Sequence, residues 1–409
     1  MTKSNQAPSK GRLTLGGIVT LVIAIIIFIA QNAMDEGNDE TTTPVPNTPV
    51  SSPVVSGDET TTTGDVKALA NGGIDGGWYQ VYFTTPINTT DESKFTGAQI
   101  ENALVTALNG ASTSIDAALF ELNSEPVTQA LIAAQERGVQ VRVVTDGEHG
   151  MEDPESTVEE LEMAGIEVVS DGTRGGLMHD KFFVIDNLYV WTGSTNITHN
   201  GMYNNNNNSI LFRSSQLAAN YALEFEELFS GQFGKTSPKD IPNPVITVNN
   251  TQIETFFESE GNAPERLAEL IADAKTIHFM TFSFTGSLTW EDASGEHALT
   301  DLIYERVQSG ELEMWGIVEA SSRKYLKEFF CAELNMHQDG NPDILHHKLF
   351  IIDRSIVVMG SFNFSNSAAN DNDENLLIIQ NPDIAKAYLD EFDRRWAESE
   401  VPSRSDMDC

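Results

Sequence analysis

The chain is poor in cysteine and in positive charge. Only Cys331 and Cys409 occur among 409 residues. Two cysteines cannot build a disulfide framework, and no CxxC or other metal-ligand spacing is present. A single bridge between them requires an oxidising compartment, and a frayed free thiol at the final residue, Cys409, is an equal alternative. Lys and Arg total 24 against 61 Asp and Glu, a formal charge of −37. Such a surface repels nucleic acid and anionic membranes at long range and favours solubility. It does not exclude a phosphate-handling site, because a few lysines can invert the field inside a cleft.

Long apolar runs are scarce as well. The one that stands out is Leu13–Ala30, 18 uncharged residues, roughly 27 Å as a helix and so just able to cross a bilayer core. Lys3, Lys10 and Arg12 precede it; Asp35, Glu36, Asp39 and Glu40 follow. The positive-inside rule then predicts a cytoplasmic tail over 1–12, a single-pass anchor over 13–30 and everything later outside the cytoplasm. A cleaved signal peptide with a secreted product is the alternative, but Gln31-Asn32-Ala33 is a poor cleavage site. Residues 31–76, rich in Thr, Pro, Ser, Asp and Gly, bury too little apolar surface to offset chain entropy and predict a disordered stalk.

Beyond the stalk the chain repeats itself. MHDKFFVIDNLYVWTGSTN (Met178 to Asn196) is matched by LHHKLFIIDRSIVVMGSFN (Leu345 to Asn363). His179 and His346 are 167 positions apart (346 − 179), and the pairs Asp186/Asp353 and Ser194/Ser361 keep the same spacing. Constant register marks a duplicated unit, predicting repeats over 77–233 and 246–400, a linker over 234–245 and a short tail over 401–409. In the first copy the periodicity predicts helices over 99–108, 126–137 and 158–163, and strands over 114–120 and 139–144. In the second it predicts helices over 264–274 and 297–308, and strands over 276–284 and 312–318. Alternation of this kind is an α/β signature.

Each motif itself predicts two strands joined by a tight turn. Side chains alternate along a strand, so His179 and Lys181 share one face, as do His346 and Lys348. His347 falls on the other face. Asp186 and Asp353 have the opposite parity to the lysines and are expected to support the turns.

This H-x-K-x4-D-x6-G-S-x-N pattern, present twice, resembles the HKD signature of the phospholipase D superfamily over roughly residues 78–400. The resemblance implies two pseudo-symmetric α/β/α sandwich repeats that form one active site, with no metal and no cofactor. It implies that Lys181 and Lys348 neutralise the phosphate, assisted by Asn196 and Asn363, while Ser194 and Ser361 hydrogen-bond within the site. One neutral histidine attacks phosphorus and the other, protonated, serves the leaving group. The family assigns these roles to His179 and His346 respectively. A carboxylate is common fourteen residues after the motif Gly; here Glu374 stands there in the second copy and Asn207 in the first. Pairing within each copy would give His346 the carboxylate and hence the more basic ring, as a general acid requires.

The superfamily includes phospholipases, nucleases and phospholipid synthases. A tether beside lipid substrate and the lack of a broad basic surface favour a phospholipase D-like hydrolase yielding phosphatidate. A DNA or RNA endonuclease is the alternative, although no basic patch supports it, and the exported part shows no amphipathic lipid-docking helix. A synthase of activated cytoplasmic substrates suits an exported domain less well. A non-catalytic surface scaffold is disfavoured by the intact His-x-Lys pairs. Two motifs in one chain also predict that a monomer suffices.

Overall fold

Apolar strands and amphipathic helices assemble into two sheets with one internal plan. A computed structural model of the protein describes residues 65–258 and 261–409. The expected anchor lies outside the described residues, as does most of the expected stalk. Among the described residues no helix is long and apolar enough to cross a membrane.

The first half contains β1 (Lys67–Ala68), β2 (Ile74–Asp75), β3 (Tyr79–Phe83), α1 (Gln99–Asn109), β4 (Ser114–Leu119), α2 (Glu125–Glu136), β5 (Gln140–Thr145), α3 (Val158–Met163), β6 (Glu167–Ser170), β7 (Lys181–Ile185), β8 (Tyr189–Gly193), α4 (His199–Tyr203), β9 (Asn208–Arg213) and α5 (Ser215–Phe229). The second contains β10 (Val245–Val248), β11 (Thr251–Glu258), α6 (Ala263–Asp273), β12 (Thr276–Thr281), β13 (Thr289–Asp292), β14 (Gly295–Ala298), α7 (Leu299–Gln308), β15 (Glu313–Val318), α8 (Lys327–Cys331), β16 (Met336–Gln338), β17 (Lys348–Ile352), β18 (Ile356–Gly360), α9 (Asn366–Asn370), β19 (Glu374–Gln380) and α10 (Pro382–Glu398). The sheet orders are β1-β2-β3-β9-β8-β7-β4-β5-β6 and β10-β11-β19-β18-β17-β12-β15-β16. From β3 and from β11 onward the two orders correspond strand for strand, so the sequence duplication is a structural one.

Strand alternation sorts the core. Phe182 and Val184 face a central cluster that also holds Leu349, Ile351 and the apolar faces of α5 and α10. Phe183 and Ile185 face α1, α2 and α3; Phe350 and Ile352 face α6, α7 and α8. Each sheet is thus covered on both faces, and the middle layer belongs to both repeats.

Two sequence expectations change, and one alternative left open at the C-terminus is decided. The disordered stalk was expected through residue 76, but β1 and β2 pair within that span and lead into β3. Here backbone pairing at a sheet edge outweighs the polar composition. The helix expected from His297 starts at Leu299, because residues 295–298 pair with 289–292 as a separate hairpin. The tail over 401–409 is held: Met407 is buried and Cys409 is disulfide-bonded to Cys331.

Candidate active site

Both motifs begin at the same edge of their sheets. Lys181 pairs with Leu119 at the end of β4, and Lys348 pairs with Thr281 at the end of β12. The repeats meet at this edge through reciprocal backbone bonds. Met178 bridges Asp373, and Leu345 bridges Asn206. The His179 N–H donates to the Asp373 carbonyl at 3.0 Å, and the His346 N–H to the Asn206 carbonyl at 2.9 Å.

This seam corrects the expectation that Glu374 serves His346. Because Asp373 lies beside Met178, the next residue of each segment comes together across the repeats. His179 Nδ1 is 2.8 Å from Glu374 Oε2, and His346 Nδ1 is 2.9 Å from Asn207 Oδ1. The Ser194 carbonyl also accepts from His346 Nδ1, at 3.0 Å. Each histidine therefore takes its partner from the opposite repeat, with Nδ1 as donor and Nε2 left for chemistry. The carboxylate stands on His179 and the amide on His346, so the basicity argument that gave His346 the acid's role does not hold.

The site is deeply buried: Lys181 and Lys348 are 2% and 1% exposed, His179 and His346 6% and 8%. Lys181 Nζ donates to the His179 carbonyl at 2.6 Å and Lys348 Nζ to the His346 carbonyl at 3.1 Å. Burial holds both imidazoles well below their usual pKa, and the two lysines push in the same direction. Burial also lowers Lys181 to about 8 and raises Glu374 to about 7. Burial and mutual repulsion thus disfavour further positive charge in the cleft, and an anionic group beside the lysines would offset that penalty.

The other expected residues divide into two groups. Ser194 Oγ donates to Asn207 Oδ1 at 2.8 Å, and Ser361 supports Glu374 and Asn375. Asn196 Nδ2 donates to Glu121 Oε2 at 2.7 Å. Asn363 sits in the corresponding loop of the second copy, and its Oδ1, like that of Asn196, is buried with no hydrogen-bond partner among the described residues. Asp186 and Asp353 lie at the far ends of their hairpins. Asp186 accepts from the backbone of Ser112, Thr113 and Ser114, and Asp353 from Lys275 and Thr276. His347 turns inward, 2.9 Å from Asn208 Nδ2 and 3.4 Å from Glu391. Asp180, its counterpart, accepts from Asn375 Nδ2 at 2.5 Å.

Sequence reasoning missed several neighbours. Phe120 packs edge-on to His179 with Lys181 above its ring, and Phe282 does the same for His346 and Lys348. Asp146 and Glu319 brace the backbone N–H groups of Met178 and Leu345, immediately before each histidine. These positions do not keep the 167-residue spacing, because loop lengths between β4 and β7 differ from those between β12 and β17. Asn208 and Asn375 do keep it, and that signal was available in the sequence. The motif glycines have a steric reason. A Cβ on Gly193 would lie 2.3 Å from the Asn208 carbonyl oxygen, and one on Gly360 2.1 Å from that of Asn375.

Comparison with known proteins gives a consistent picture. The family model described as "Cardiolipin synthase, PLD-like domain" matches residues 104–229 and 267–396. A mitochondrial cardiolipin hydrolase of Xenopus laevis is 35% identical over 126 residues, covering 31% of this chain and 59% of that protein. A phospholipase D of Rickettsia prowazekii (strain Madrid E) is 36% identical over 139 residues, 34% of this chain and 62% of the relative. The chain thus spans less than two thirds of either relative. A crystal structure of phosphatidylserine synthase from Haemophilus influenzae Rd KW20 superposes with a TM-score of 0.59 at 15% identity, covering 79% of this chain and 87% of that one; that likeness speaks to the fold alone. With one family model matching both repeats, and a crossed His/Lys site where they meet, the chain belongs to the phospholipase D superfamily.

Proposed function

We propose that the protein is a phosphodiesterase that hydrolyses phospholipid head groups to phosphatidate without a metal, through a phosphohistidine. The carrying observation is the crossed pair: His179 on Glu374 and His346 on Asn207, with Lys181 and Lys348 beside them. His179 Nε2 attacks phosphorus while the bond to the leaving oxygen breaks, and His346 Nε2–H protonates that oxygen. His346 then takes a proton from water, whose oxygen attacks phosphorus and releases His179. The lysines and the Asn196 and Asn363 amides offset the charge on the non-bridging oxygens. Lipid is favoured as substrate by the names of the relatives; a net charge of −37 opposes nucleic acid and anionic bilayers, but not zwitterionic ones. We further propose that Leu13–Ala30 tethers a monomer at a membrane with its catalytic part outside the cytoplasm.

The test assays full-length protein and His179→Ala, with EDTA present, on phosphatidylcholine/phosphatidylethanolamine vesicles and on single-stranded DNA. Head-group release by the wild type, abolished in the variant, is the expected result. Cleaved DNA with intact lipid would replace this reading with a nuclease, and inertness toward both would sink it.

A further inference from the structure

The repeats match at most cleft positions, and one mismatch changes a charge. Glu121 follows Phe120 and lies one residue before Leu122, which bridges Ile197; Ser283 lies one residue before Phe284, which bridges Phe364 in the same way. Glu121 in the first repeat therefore corresponds to Ser283 in the second. The Glu121 side chain is half-buried and is held by Asn196 Nδ2 at 2.7 Å. It follows Phe120, over whose ring Lys181 Nζ sits 4.8 Å from the centroid, and both lysines feel its charge. Burial pushes its pKa above the ordinary carboxylate range, while Lys181, His149 and the Asn196 hydrogen bond favour the ionised form.

A carboxylate in an anion site opposes simple anion binding, and its repulsion grows with the charge of the ligand. A phosphodiester carries one negative charge, whereas the monoester left by its hydrolysis approaches two near neutrality. Two lysines unopposed would favour the monoester and retain it. We infer that Glu121 is a selectivity residue that lets the cleft hold a monoanionic diester and shed the dianionic monoester product. This deepens the phosphodiesterase reading and rests on it.

Calorimetric titration of full-length protein with inorganic phosphate and with dimethyl phosphate, above the second pKa of phosphate, tests the inference. The wild type should bind the dianion no more tightly than the diester; a clear preference for the dianion overturns the inference without any variant. In Glu121→Gln and in Glu121→Ser, which carries the residue of the second repeat, phosphate should tighten about tenfold more than dimethyl phosphate does. An equal change for both anions, or none, would also overturn it. Circular dichroism identifies a variant that fails to fold, in which case the wild-type ratio decides alone. Inertness toward lipid and DNA would defeat the phosphodiesterase reading, yet these binding ratios would still report on Glu121 separately.

Discussion

The two histidines differ most in what holds Nδ1. Glu374 gives His179 a carboxylate; Asn207 gives His346 an amide. Replacing Glu374 by Gln keeps the hydrogen bond and removes the charge, and should lower kcat about 10- to 100-fold. Asn207→Asp should instead make His346 more basic, moving its titration in the pH–rate profile upward. Lys181 must be charged to neutralise phosphate and is depressed to about 8. Burial lowers Lys348 strongly as well, so the alkaline limb of kcat/KM should fall no higher than that pH, well before an ordinary lysine titrates. Away from the chemistry, both carboxylate oxygens of Asp339 are buried with no well-formed hydrogen bond among the described residues, and burial raises its pKa to about 7, only partly opposed by the nearby Gly340 and Asn341 backbone. The folded protein keeps this proton where the unfolded chain has lost it, so stability is lost as pH rises from about 4 to about 7. Asp339→Asn should raise Tm above that window and do little below it, with a gain of about 2–4 kcal/mol at most. Burial also raises the corresponding Asp171 of the first repeat, but there Arg174 Nε donates to the carboxylate at 2.8 Å and opposes the shift. The histidines, lysines and their register were legible in the sequence. The crossing of their partners was not, because a one-dimensional spacing cannot say which copy a strand end faces.

Among the elements, the motif hairpins were the most legible. Asp186 and Asn187, like Asp353 and Arg354, have positive φ at the two central positions, as a tight two-residue turn requires. The aspartates also tie each turn to the start of a neighbouring strand. Asp186 accepts from three backbone N–H groups and the Thr113 hydroxyl; Asp353 accepts from two backbone N–H groups. Alanine at 186 should therefore lower stability by about 1–3 kcal/mol, alanine at 353 by less, and neither should change kcat per folded molecule. Denaturant titration beside single-substrate kinetics checks both parts. The β13–β14 hairpin was hidden because Trp290 and His297 pair on short strands whose polar, Gly-containing turn resembles a helix entry. The edge strands β1 and β2 were hidden for a different reason: two-residue strands carry no periodicity to read.

At the scale of the molecule, one core runs between both sheets and includes residues of α5 and α10. The disulfide Cys331–Cys409 spans 78 residues and fastens the C-terminal tail to α8. Reduction should cost about 2–4 kcal/mol and be visible as a lower Tm, with activity retained while the fold persists. That pairing was an open alternative in the sequence, since a terminal cysteine gives no sign of whether its neighbours are anchored; Met407 in the core supplies the anchor. The crossed partners bear on heredity as well as chemistry. Neither copy contains a whole histidine couple, so a substitution at 374 is felt at 179 and one at 207 at 346. The halves of this gene cannot drift as independent lineages: each sets the background against which a change in the other is tolerated or lost.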